Sequence, residues 1–349
     1  MWALKKALFV AAVAGLAISP LVAQSGVELT GSGATFPEPL YRKMFDEYHK
    51  KTGARVNYQG IGSGGGIKQL TEKVTDFGAT DAFMTEAELA RAGRPIIHIP
   101  TAIGAVVVVY NLPRVPNGLK LTPGLISGLF LGKITVWNDP AIAAVNPGVR
   151  LPAFKVSVVH RSDGSGTTFV FTDYLSKASS EWKEKVGANK SPNWPVGVGG
   201  KGNPGVADLV KKIPGAVGYV ELEYANKNKI AFADVENKSG RFITPSLKSA
   251  SAAANITMPD DTRVTITDTE ARDGYPVASF TWLILYRDQK YGRRTMASAK
   301  ALVDLVWWVV HEGQAYNEGL NYAMIDKSVV KKCEKLLNTV TYGGSVVRR

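Results

Sequence analysis

The stretch His160-Arg-Ser-Asp-Gly-Ser-Gly-Thr-Thr-Phe169 stands between an apolar run, Lys155–His160, and a helical pattern, Thr167–Ser176. It reads as strand, turn, helix. Ser165, Gly166 and Thr167 then fall at a helix start, where the first backbone N–H groups lack intrahelical partners and the helix dipole is positive. Successive amides, two hydroxyls and the forked guanidinium of Arg161 predict a site for an anion. Asp163 would repel that anion if it were free, so it is expected to pair with Arg161 and hold the guanidinium in place. The turn is no Walker loop, because G-x-x-x-x-G-K-[ST] is absent. It is no nucleophile elbow either, because Asp163 occupies the first glycine position of G-x-S-x-G.

Outward from this turn, strand-like and helical runs alternate: Val56–Gln59, Ile67–Val74, Asp76–Thr80. Such alternation predicts βα units on mainly parallel sheets. Two further turns seek anions. In Thr30-Gly-Ser-Gly-Ala-Thr-Phe-Pro-Glu-Pro-Leu-Tyr41 a polar, glycine-rich turn precedes the helical run Pro39–Lys50, and the Thr35 hydroxyl would join its amides; an ordinary helix cap is the competing reading. In Tyr58-Gln-Gly-Ile-Gly-Ser-Gly-Gly-Gly-Ile-Lys68, glycines let amides and the Ser63 hydroxyl approach phosphate oxygens closely. Gly60, Gly62 and Gly65 also satisfy G-x-G-x-x-G, with Asp81 about 20 residues on, as in a dinucleotide fold. Against that stand the short run before the loop and an extracytoplasmic destination. Asp81 itself also sits where a cap for a helix over Ala82–Ala92 would be.

The destination follows from residues 1–25: Lys5 and Lys6, the apolar run Ala7–Ile18, then small residues after Pro20. This is the pattern of a cleavable signal peptide, with Gly26 as the expected first mature residue, and it predicts a periplasmic protein. No later apolar stretch is long enough for a membrane span. Cys333 is the only cysteine, so no intramolecular disulfide can form, and it reads as a plain residue of a helix over Ser328–Leu337. His49, His98, His160 and His311 show no paired metal-ligand spacing, so no metal or cofactor is expected. The chain carries 42 basic and 30 acidic residues, +12 overall, and losing Lys5 and Lys6 leaves +10. The basic residues are scattered, which favours a solvated surface over nucleic-acid binding. At 349 residues two domains are expected. The long apolar strands Ile103–Tyr110 and Ser279–Tyr286 would be two passages between lobes, giving lobe 1 as 26–109 plus 280–349 and lobe 2 as 110–279. Ala188–Gly205, rich in Gly, Pro and Asn, reads as a long surface loop.

With the three turns in view, the sequence resembles the periplasmic phosphate-binding proteins of phosphate-specific ABC transporters. The likeness spans the mature chain and includes Gly31–Pro37, Tyr58–Gln69, Asp76–Asp81, His160–Phe169 and Gly215–Val220. It implies an α/β, type II periplasmic-binding fold, two lobes joined by two crossover strands and closing over one phosphate. It implies phosphate ligands at Thr35, Phe36, Ser63, Asp81, Arg161, Ser165, Gly166 and Thr167, with Asp163 bracing the arginine. Gly64 departs from the pattern, since family members can carry a second serine there. The resemblance also implies partners in the permease subunits of an ABC importer, and a monomer is expected.

One element of such a site would choose between anions. Phosphate near neutral pH keeps at least one proton and sulfate keeps none, so a donor-only cage would hold both. The Asp81 carboxylate would accept the phosphate proton but face a bare sulfate oxygen, and a site built around such a bond can reject the wrong ligand by on the order of 10⁴ to 10⁵. The competing function is an exported phosphatase or phosphotransferase with Ser63 or Ser165 as nucleophile. It lacks a base, since His160 lies in the strand before the cradle. A surface adhesion or signalling protein built on the same fold is a third class.

Overall fold

The computed structural model describes residues 27–348. The signal-peptide reading of residues 1–25 lies outside them. Nine strands form the principal sheet: β1 Glu28–Gly33, β2 Arg55–Gly60, β3 Phe77–Thr80, β4 Ile96–Tyr110, β5 Ser157–Arg161, β6 Val198–Gly200, β7 Ala216–Glu221, β8 Ala231–Phe232 and β9 Ala278–Tyr286. Their order is β2-β1-β3-β9-β4-β7-β5-β6, with β8 beside the end of β4.

β4 organises everything else. It is 15 residues long, and every residue after Ile96 is buried. The apolar run Ile103–Tyr110 is only its second half; the chain is already extended from Ile96, although Pro100 falls inside, because β9 pairs it there across a local irregularity in register. β9 runs antiparallel to both neighbours, Leu283 facing Ala79 on β3 and Ile99 on β4. β4 then changes partner, and Val106–Tyr110 pair antiparallel with Val217–Glu221 of β7. The expected mainly parallel sheets are thus a mixed sheet: parallel β1, β2 and β3 on one side, parallel β5, β6 and β7 on the other, and antiparallel pairings in the middle.

This topology positions the site. β1–β3 run along β4 and β5–β7 run against it, so the carboxyl ends of the two parallel sets point toward each other. Glu221, at the end of β7, pairs with Val106, and Trp282, opposite Thr80 at the end of β3, pairs with Pro100. Loops at the carboxyl ends of parallel strands are where α/β sheets bind ligands.

Helices follow those ends: α1 Glu38–Thr52, α2 Ser63–Thr71, α3 Glu86–Ala92, α4 Gly166–Ala178, α5 Gly202–Lys212 and α6 Leu222–Asn228, with α7 Met296–Val310 and α8 Lys327–Asn338 later. α2 begins four residues before the apolar run at Ile67, its first turn being the glycines themselves. α3 is capped by Thr85 with a reciprocal Glu88 bond, so Asp81 is not its cap. Thr35 caps nothing, since α1 opens at Pro37 without a side-chain cap. Cys333 is buried in α8, and burial pushes its thiol up to about 12, so it is inert. Part of the expected surface loop 188–205 is instead structure: it contributes β6 and the start of α5, and Trp194 stacks on His160 at 4.9 Å between ring centroids.

Candidate functional site

The three turns meet where the two sets of strand ends converge. From one side come Thr35 and Phe36 after β1, Ser63 at the start of α2 and Asp81 after β3. From the other come Arg161 at the end of β5 and Asp163, Ser165, Gly166 and Thr167 at the start of α4. The first side meets the second through direct bonds: Gly166 donates its amide to Ser63 Oγ at 3.0 Å, and Gly64 donates its amide to the Gly164 carbonyl at 2.8 Å. Of Gly60, Gly62 and Gly65, Gly62 stands at this crossing, whereas Gly60 makes room for Glu38 and Gly65 for Ile61. Gly62 holds φ 87°, and a Cβ there would stand 2.2 Å from Asp163 Oδ2.

Arg161 is the site's cation. Its side chain is 1% exposed; Nε donates to Asp163 Oδ1 at 2.8 Å and Nη2 to Asp163 Oδ2 at 2.6 Å. This is a bidentate fork. Nη1 is buried and has no partner in the protein. Burial alone would push the Asp163 carboxyl up, but bonds from Arg161 and the Gly202 amide outweigh it and hold that carboxyl below the ordinary range. Asp163 stays charged as the brace.

Asp81 is the site's acceptor. It is 2% exposed; Oδ1 accepts from Thr281 Oγ1 at 2.8 Å, and Oδ2 lies 3.5 Å from Ser63 Oγ. Desolvation pushes its carboxyl up to about 7, against the Thr281 bond, the Arg161 charge and the Ser63 bond, which hold it down.

The remaining groups are arranged as donors. Ser63 Oγ accepts from the amides of Asp81 and Gly166, so its proton can only be donated, here over a long 3.5 Å contact to Asp81 Oδ2. Ser165 Oγ caps α4 by accepting from the Thr168 amide. The carbonyls of the first turn, which would repel an anion, are tied down: Tyr224 donates to the Thr35 carbonyl and Tyr322 to the Phe36 carbonyl, each at 2.6 Å. One expectation needs correction. Ser165 does not offer its amide, which is spent on the Lys190 carbonyl at 2.9 Å, so it contributes a hydroxyl only; the Gly166 amide points at Ser63, and Thr167 is the amide left at the helix start.

Four groups here escaped the sequence reading. Thr281 on β9 holds Asp81. Lys190, in the supposed loop, ties its ammonium to both carboxylate oxygens of Glu88 at 2.7 Å while its carbonyl holds Ser165. Asn203 at the start of α5 bonds Thr35 and Thr167 together. Glu221, fully buried, caps α6, and its Oε2 lies 3.0 Å from the Tyr322 hydroxyl; burial raises its carboxyl well above the ordinary range. Only the Lys-Gly-Asn-Pro-Gly string around Asn203, a break between apolar runs, could have signalled any of them.

Gly166 gives a direct test of how tightly the parts fit. A Cβ on it would lie 2.5 Å from Ser63 Oγ and 2.6 Å from Asp81 Oδ2. Gly166→Ala should cost anion affinity about 10²-fold by displacing both side chains. The fold should survive, because alanine in a helix is favoured over glycine by roughly 0.5–1 kcal/mol. Calorimetry beside a thermal melt checks this; unchanged affinity would mean that Asp81 and Ser63 do not act where they stand.

Comparison with known proteins places the class first. The family model described as a PBP superfamily domain matches residues 19–307. The phosphate-binding protein PstS of Xylella fastidiosa strain Temecula1 is 43% identical over 88% of this chain and 84% of its own. PstS of Pasteurella multocida is 44% identical over 88% of each chain, and that of Methanocaldococcus jannaschii 39% identical over 83% and 80%. The chain belongs to the PBP superfamily and, within it, to the phosphate-binding protein family of these PstS relatives. Among solved structures, a high-affinity periplasmic phosphate-binding protein, PfluDING, bound with phosphate, superposes with TM-score 0.70 at 18% identity, over 88% of this chain and 93% of its own. A phosphate-binding protein from Stenotrophomonas maltophilia gives 0.70 at 16% identity, over 92% and 96%. The fold is the type II periplasmic-binding fold.

Proposed function

We propose that the protein is a receptor that binds one inorganic phosphate between two lobes and delivers it to the permease subunits of an ABC importer. The observation that carries this is the buried, unpartnered Nη1 of Arg161, aimed from a guanidinium already braced by Asp163. A buried cationic donor left unpaired is costly, and an oxyanion is the partner that satisfies it. Thr35, Phe36, Ser63, Arg161, Ser165 and Thr167 supply donors, Gly166 turns its amide to Ser63 Oγ and leaves room for the ligand, Asp81 supplies the acceptor, and Asp163 holds the arginine. Several charge-assisted bonds of roughly 1.5–3 kcal/mol each suffice, since a micromolar Kd requires only about 8.

The protein is a binding protein and not an enzyme, as its relatives are named. His160 supports this: its ring stacks on Trp194 and its Nδ1 lies 3.0 Å from the Arg161 carbonyl, so that nitrogen is engaged by the backbone. We take lobe 1 as residues 26–109 with 280–349 and lobe 2 as 110–279, because β4 and β9 carry the pairings on which both sides hang. A periplasmic monomer released from its signal peptide completes the reading; among the described residues no helix is long and apolar enough to cross a membrane.

Calorimetry of phosphate against sulfate, after endogenous ligand is stripped, tests the proposal. Phosphate should bind with a Kd of micromolar or below and sulfate should fail to compete at a thousandfold excess. Equal binding of the two, or none, overturns it.

A further inference from the structure

A hydroxyl has one proton and two lone pairs, so it donates to an anion dependably only when something else occupies its lone pairs. At Thr35 both are occupied by one residue: Asn203 donates to Thr35 Oγ1 from its backbone N and from Nδ2, each at 3.0 Å. The same Nδ2 donates to Thr167 Oγ1 at 3.1 Å. Asn203 is fully buried, and its orientation is not free. Its Oδ1 accepts from the Glu221 amide at 2.9 Å. A backbone N–H can only donate, so the atom facing Glu221 must be oxygen and the amino group must face the threonines.

We propose that Asn203 is a positioning residue that sets the donor polarity of the phosphate site: fixed by the Glu221 amide, it makes the Thr35 hydroxyl an obligate donor toward the anion and biases the Thr167 hydroxyl, which comes from the opposite side of the cleft, the same way. The inference rests on the phosphate reading above. It explains why two threonines, either of which could accept as readily as donate, sit in a cage that must present hydrogen to every oxygen but one. Asn203 stabilises the bound anion through these hydroxyls without touching it.

The test compares Asn203→Asp and Asn203→Ala by calorimetry with inorganic phosphate, with folding checked by circular dichroism. Asn203→Asp keeps the shape but presents acceptors, so the hydroxyl protons turn away from the anion and affinity should fall about 10³-fold. Asn203→Ala frees the Thr167 hydroxyl and leaves Thr35 only the backbone N–H of residue 203, and should lose about tenfold, as one buried side-chain bond does. A double-mutant cycle guards against misfolding of the charged variant. If Asn203 acts through Thr35, then Thr35→Val should cost markedly less in the Asn203→Ala background than in the wild type. Additive losses, or an aspartate variant that binds no worse than the alanine one, overturn the inference. The phosphate reading fails differently: the unaltered protein would then not bind phosphate at all.

Discussion

Arg161→Ala is expected to weaken phosphate binding by about 10²- to 10³-fold, or roughly 3–4 kcal/mol, the range for truncating one partner of a buried charge pair. Three donors of one guanidinium are in play. Nε and Nη2 hold Asp163 and Nη1 is the donor without a protein partner, so the residue is at once brace and proposed ligand. Alanine removes the cation proposed to face the anion and leaves Asp163 without its counter-charge. Arg161→Lys separates the two effects. A lysine carries one compact ammonium that cannot fork onto Asp163 and still reach the ligand. It should therefore recover stability but little affinity. The Asp163 carboxyl is held below its ordinary value in the folded protein, so its contribution to stability is present above about pH 4 and is lost as pH falls through the depressed value. Both variants should lack that acid-sensitive component to the extent that they lose the pair. Titration calorimetry with melts across pH reads all of this, and an unaltered phosphate isotherm would remove Arg161 from the site.

Asp81→Asn is expected to have its largest effect on choice of anion. Selectivity for phosphate over sulfate, on the order of 10⁴ where a buried acceptor must be satisfied, should collapse to about tenfold. Phosphate affinity itself should change far less. The amide oxygen of asparagine can keep the Thr281 bond, and its NH₂ then faces the ligand as one more donor, to which a bare sulfate oxygen is acceptable. The wild type should show a milder version of this change with pH. Burial lifts the Asp81 carboxyl to about 7, so below neutrality it becomes protonated and turns from acceptor to donor. Sulfate affinity should therefore rise as pH falls from about 8 to about 6 and stay flat in the asparagine variant. The Asp81 contribution to the stability of the ligand-free protein should be fully present below the ordinary carboxylate value, near 4, and be lost as pH rises through about 7, since the folded state holds its proton longer than the unfolded one. Sulfate affinity that ignores pH in the wild type would remove Asp81 from its proposed role.

The residues that could be read in the sequence are those whose chemistry is local. A strand, a glycine-rich turn and a helix start within ten residues at His160–Phe169 announce anion-directed geometry without knowledge of distant neighbours, and the same holds for the turns around Thr35 and Ser63. Asp81 was ambiguous because a helix cap and a buried acceptor call for the same residue type; only the later start of α3 at Glu86 and the arrival of Thr281 from 200 positions away separate them. Asn203 and Lys190 were lost for a related reason. Gly, Pro and Asn in 188–205 describe local backbone preference and a mostly exposed segment, whereas the burial of Gly200, Gly202 and Asn203 within it depends on the β5–β6 pairing and on the opposite turn at Thr35. The expected parallel sheets failed in the middle, where β9 returns late in the chain to lie antiparallel between β3 and β4, and where β4 pairs antiparallel with β7 and β8. Nothing in an apolar run reveals the direction in which it will pair.

That returning strand also dictates an order of events. A chain emerging amino terminus first has made β1 to β4 long before residues 278–286 exist, yet the sheet around β3 cannot close until they arrive. Early segments must wait with an open edge, and contacts this distant along the chain slow consolidation. Late completion leaves the middle of the sheet open until residues 278–286 are available to fill it.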